Sequence, residues 1–132
     1  MQPKTTLTIA SIIGLIFSSA MFLAPEFVTR EQFPNSEGQG FDDLVTLRYA
    51  IASLILALVI ISYHLRDITG HAFQIHVMKG YTLAFGVVCI TNLALQLTGK
   101  ISAVPPIVGT GVIAVLSFLT WRRLVSRTKE EA

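Results

Sequence analysis

Chemistry in this sequence has to come from a few polar side chains set in long apolar runs. Arg48 comes first, because it lies one turn inside an otherwise apolar stretch. A charge at membrane depth costs several kcal/mol, on the order of 3 on insertion scales, unless it is paired, hydrated or led out to the headgroups. Asn92 and Gln96 are four residues apart and share a helical face. In an antiparallel hairpin they reach a depth similar to that of Arg48. The three together define a candidate ligand pocket for an anionic or polar molecule, with Tyr49, Asp42 or Asp43 placed to tune it. The competing reading is that Arg48 snorkels to headgroups or pairs with loop carboxylates, while Asn92 and Gln96 join helices.

A second group is His64, His71 and His76, near Asp67 and Lys79. Histidines gathered at one edge could bind a metal or sense protons. Their spacing fits no ligand motif on a single helix, and Lys79 would repel a cation, so the reading is solvated interfacial histidines with no metal site and no cofactor. The single cysteine, Cys89, lies mid-run and reads as a small packing residue. No HExxH, GxSxG, P-loop or glycine-rich dinucleotide turn occurs. No carboxylate falls inside an apolar run, which argues against a proton- or cation-coupled transporter of the usual kind. With no catalytic set, the reading is a non-enzyme.

The elements that must position these residues are spelled out by the charges. Of 132 residues, 52% are hydrophobic and only 14% charged, where soluble domains carry about a quarter. Thr5–Pro25, Tyr49–Leu65, Gly80–Gly99 and Ile101–Trp121 are free of formal charge, and a spanning helix needs about 20 apolar residues. The expectation is an all-α integral membrane four-helix bundle, antiparallel and up-down, forming one transmembrane domain over 1–132. Its spans are placed at about 5–24, 43–64, 75–97 and 105–124, with an acidic loop at 25–42 lying on the membrane surface. Thr5 or Thr6 is expected to cap the first span and Asp42 or Asp43 the second. Pro25 and Thr98-Gly99 close the first and third, Pro105-Pro106 open the fourth, and the tail from Val125 is expected to fray. Lys4 followed by an apolar run and Ser18-Ser19-Ala20 invites comparison with a signal peptide. The run from Leu7 to Leu23 exceeds the usual h-region, so it is read as a span.

With four spans, Lys4, Arg66, Lys79, Arg122, Arg123, Arg127 and Lys129 share one side, against Arg30, Arg48 and Lys100 on the other. The positive-inside rule then places both termini in the cytoplasm, and Tyr63, Tyr81 and Trp121 at the inner headgroups. A bacterial inner (plasma) membrane is the expected location. The net charge of +2 is scattered over the flanks without interleaved aromatics, so no nucleic-acid partner is expected. Small residues at helical spacing, Ser11/Gly14/Ser18, Ala50/Ser53/Ala57, Gly80/Ala84 and Gly111/Ala114/Ser117, are expected to pack the spans or join copies. The partners expected are the lipid bilayer and either further copies of the chain or a larger membrane complex.

Phe22-Leu23-Ala24-Pro25 closing the first span, an acidic loop, Leu47-Arg48-Tyr49-Ala50 opening the second and Arg66-Asp67 ending it form one pattern. That pattern, about a third of the chain, resembles the small four-helix bacterial membrane proteins of the DoxX-like tetraspan group. The resemblance implies a tetraspan fold with an arginine opening the second helix, matched by Arg48, and implies no function. The second half departs from it: Lys79-Gly80 stands where a glycine-arginine opening belongs. Two functions follow for this small multi-span membrane protein. One is a non-enzymatic accessory, assembly or structural subunit of a membrane complex. The other is a small-molecule or lipid binding or transport protein with an outer-side pocket around Arg48, Asn92 and Gln96.

Overall fold

The computed structural model describes residues 2–130, with side chains as far as Thr128. Lys129, one of the cations counted above, therefore has its side chain outside the described residues. The described chain is helical throughout: α1 Pro3–Leu23, α2 Pro25–Gln32, α3 Gly38–Leu65, α4 His71–Leu97 and α5 Val104–Glu130. Four of these, α1, α3, α4 and α5, are long and apolar enough to cross a membrane.

Prolines set the breaks around α2. Ala24 (φ −140°, ψ 55°) and Phe33 (φ −130°, ψ 68°) both leave the helical region immediately before a proline, where the following ring disfavours the α conformation. Gly38, at φ +59°, starts α3 in the left-handed region that glycine enters freely. The stretch expected as a loop at 25–42 is thus an eight-residue helix, a short turn and the first turn of α3. Asp42 and Asp43 sit inside α3 and are not its caps; its N-cap is Glu37, whose side chain makes no capping bond. The early start is held by Arg30, whose guanidinium lies 4.9 Å from the Phe41 ring centroid. α1 likewise begins at Pro3, ahead of the expected threonine cap. α5 continues to Glu130 where a frayed tail was expected from Val125. Its last turns are held by buried Leu124 and by Thr128, whose hydroxyl meets His71 Nε2 of α4 at 2.9 Å.

Between α4 and α5 the chain reverses through a Schellman turn. Gly99 (φ +70°) donates to Gln96 O at 3.0 Å, and Lys100 to Leu95 O at 3.1 Å. At the opposite end of the bundle, Lys4 pairs with Asp67, and Thr6 of α1 meets Thr120 of α5 at 2.7 Å. Both chain ends and the α3–α4 turn therefore share one end.

Neighbours follow the order α3–α1–α5–α4. α1 packs along α3, α5 along α4, and α1 and α5 join the two pairs. Close approach sets both seams of α1, the one with α3 and the one with α5. A Cβ on Gly14 would lie 2.6 Å from Val59, and one on Gly109 would lie 2.6 Å from Phe17. Ser18 adds a hydrogen bond to Ala52 O of α3 at 2.9 Å. Of the small residues expected to pack α1 and α5, Ser11, Ser18 and Ser117 are buried, while the close approach on α5 is at Gly109, outside the expected set. Those expected to do so on α3 and α4 point outward: Ala50, Ser53, Ala57, Gly80 and Ala84 are all exposed, and Ala52 meets α1 instead. The α1–α3 seam is centred one face over, where Ser18 and Gly14 let the backbones close. α3 and α4 do not pack along their length; they meet near the termini-bearing end, where the hydroxyls of Ser62 and Tyr81 hydrogen-bond. Beside that contact, buried Leu7, Met78 and Leu124 with Trp121 close the bundle.

Candidate functional site: an apolar cleft with a buried arginine

Because α3 and α4 stand apart, they bound a cleft of about 470 Å³. This is within the roughly 300–1,000 Å³ of ligand pockets. α3 supplies one wall with Ile51, Ile55 and Leu58, and α4 the other with Phe85, Val88 and Leu95. α1 and α5 form the floor through Gly14, Phe17 and Gly109. The Ser62–Tyr81 contact marks one end. At the other end lie Gln32, Phe33, Ile101, Arg48 and Asn92. That rim is knitted by Ser102 N–H donating to Gln32 O at 2.9 Å and Ala103 N–H donating to Gln96 Oε1 at 3.1 Å.

Arg48 is only 5% exposed. α3 carries it to the level of the last turn of α1, as the Tyr49–Phe22 ring pair at 6.3 Å shows. α2 then folds over it. Arg48 Nε donates to Thr29 Oγ1 at 3.2 Å, and Thr29 in turn donates to Pro25 O at 2.8 Å. The guanidinium carbon lies 5.5 Å from the Phe33 ring centroid. Nη2 is buried without a hydrogen-bond partner, and among the described residues no carboxylate pairs with the charge. A buried charge that is neither neutralised nor fully hydrogen-bonded is the costly case, so this nitrogen is a vacant donor at the rim of an apolar cleft. An anion reaching it would accept a charge-assisted hydrogen bond in a place where water competes poorly.

The other residues singled out from the sequence divide. Asn92 lines the same cleft, with Nδ2 donating back to Val88 O at 2.9 Å. Gln96 is half-buried and committed to the Ala103 N–H, outside the cleft lining, so it shapes the rim without facing the cavity. Tyr49 is 47% exposed and packs on Phe22, on a different face of α3 from Arg48. Sequence reasoning missed Thr29 and Phe33, the two side chains that hold Arg48. Their signal was present in the apolar and hydroxyl residues spaced through the segment ahead of Arg48, but only a folded α2 brings them over it.

The histidines lie at the termini-bearing end, and two of them have separate partners. His64 Nδ1 is 2.8 Å from Ile60 O, and His71 Nε2 is 2.9 Å from Thr128 Oγ1. His76 is exposed. Cys89 packs between α4 and α5, its Sγ 3.5 Å from Ile107 O. Compared with protein-family models, curated proteins and solved structures, the chain finds no match.

Proposed function

We propose that this small membrane protein binds an amphipathic anion, its carboxylate or phosphate head on Arg48 and its apolar part in the cleft between α3 and α4. The observation that carries this reading is the buried Nη2 of Arg48 at the rim of a mostly apolar cavity. A lipid-like anion satisfies both halves of that site. It neutralises the guanidinium, and it covers apolar walls that neither helix covers for the other. On the orientation favoured by the Lys/Arg distribution, the head sits toward the outer leaflet and the termini are cytoplasmic. Membership of the DoxX-like tetraspan group belongs to the same proposal, through the arginine that opens the second spanning helix.

An accessory or assembly subunit is the competing role. It asks Arg48 to face lipid or a neighbouring chain, and the burial of Arg48 favours the binder.

The test is native mass spectrometry of the protein extracted gently from its membrane, for the wild type and Arg48→Ala. A retained anionic amphiphile on the wild type, absent from a variant of unchanged helicity, supports the binder. A bare chain in both cases, or an adduct indifferent to the substitution, overturns it and returns the accessory role.

A further inference from the structure

At the termini-bearing end, far from Arg48, a second cavity of about 380 Å³ opens among the start of α1, the α3–α4 turn and the last turns of α5. Lys4, Arg66, Arg123 and Arg127 line it against one carboxylate, Asp67. These cations come from three separate parts of the chain and look scattered in the sequence; the fold gathers them. Asp67 holds two of them in place, with Lys4 Nζ at 2.9 Å and Arg66 Nε at 3.4 Å. Arg66 also lies over the Tyr63 ring, 3.6 Å from its centroid. Arg123 and Arg127 are four residues apart on one face of α5, a like-charge spacing that is unfavourable by itself and is relieved by an anion between them.

Two helix starts face the same cavity. The N-caps of α1 and α4, Gln2 and Gly70, make no side-chain capping bond, and neither helix has an acid in its first turn. Each therefore brings the positive end of its dipole to a cavity already rich in cations.

The geometry points to a phosphate site in this cavity, held by Arg123, Arg127, Lys4 and Arg66 and taking either an anionic lipid headgroup or a free phosphate. A basic pocket between spanning helices at headgroup level has the chemistry for a phosphodiester, and planar guanidinium groups match its oxygens in pairs. This site is independent of the cleft and needs no occupant there.

The experiment uses the whole protein in nanodiscs and in detergent. Native mass spectrometry with equal phosphatidylglycerol and phosphatidylcholine is expected to show preferential retention of the anionic lipid. Removing two cations, as Arg123→Gln with Arg127→Gln, is expected to cut that preference by about 30-fold at about 1 kcal/mol per cation. Arg30→Gln with Lys100→Gln, at the other end, is expected to leave it intact. In phosphatidylcholine nanodiscs, inorganic phosphate is added against chloride at equal ionic strength. A rise in Tm with phosphate that the double variant abolishes assigns the site to a soluble source, whereas lipid preference alone assigns it to a headgroup. Lys4→Gln, a single exposed change, repeats both measurements should the double variant lose helicity. The inference fails if neither anion separates wild type from the variants. It fails equally if the lipid preference survives in the double variant but vanishes in Arg48→Ala, which places it in the cleft.

Discussion

Arg48 at one end of the bundle and Arg123 with Arg127 at the other are the same side chain under opposite constraints. Arg48 is nearly sealed from solvent, with one hydroxyl partner and an aromatic ring beside it. Arg123 and Arg127 are exposed, line an open cavity and share their surroundings with two further cations. A buried lone charge is selective and costly: it destabilises the empty protein and rewards one well-placed anion. A group of exposed charges costs little, is screened by salt and attracts anions by number. The two ends would therefore respond differently to the same substitutions.

The largest difference should come from replacing each arginine by methionine in delipidated protein. Arg48→Met removes an uncompensated buried charge and is expected to leave the empty protein as stable or to raise its stability, by up to about 4 kcal/mol. Arg123→Met should stay within about 0.5 kcal/mol. Thermal unfolding in one detergent checks both. A clear loss of stability in Arg48→Met would mean that the guanidinium is fully satisfied in the empty state.

Next in size is the contrast between the closed α1–α3 seam and an open stretch of α4. Gly14→Leu forces a side chain into the space held by Val59 and is expected to destabilise by about 1–3 kcal/mol. At Gly86, on α4, an added Cβ would meet nothing within 4 Å, so Gly86→Ala should cost nothing. Equal tolerance at both positions would break the neighbour order α3–α1–α5–α4.

The smallest effect belongs to the exposed pair at the termini-bearing end. The Lys4 hydrogen bond, opposed by desolvation and helped by the Lys4 and Arg66 charges, holds the Asp67 carboxyl below the usual carboxylate range. A lowered folded-state value stabilises above the ordinary carboxylate range, and that contribution is lost as pH falls through the lowered value. Wild type and Asp67→Asn should therefore differ slightly at neutral pH and converge in acid. Melting curves across acid pH test this, and a gap that widens toward acid would refute the pairing.

Much of the fold was legible because charge is expensive in hydrocarbon. Interruptions by Lys, Arg, Asp and Glu divide the chain into four apolar runs, and Gly99 and Pro105-Pro106 bracket the last reversal. Arg48 stood out for the same reason, being a charge just inside an apolar run, and Asn92 as an amide within one. The helical character of 25–32 was hidden because α2 is short and polar, and its packing on α1 and α3 does what propensity could not. Neighbour relations were hidden for a deeper reason. In lipid both faces of a helix are apolar, so the pattern that marks the inner face of a soluble helix is missing. That is why Ala50, Ser53, Ala57, Gly80 and Ala84 look like seam residues and point outward instead.

By itself, then, the sequence determined the number of spanning helices, their approximate ends and the two or three polar groups that had to be accounted for at depth. Hydrophobicity and backbone hydrogen bonding within each helix are local quantities, and a one-dimensional reading captures them. Only the tertiary structure decided that α3 and α4 part to leave a cleft, that Thr29 and Phe33 close over Arg48, and that four dispersed cations line one cavity. Those outcomes depend on which helix faces which, and close packing at Gly14 and Gly109 sets that choice through contacts between residues far apart in the chain.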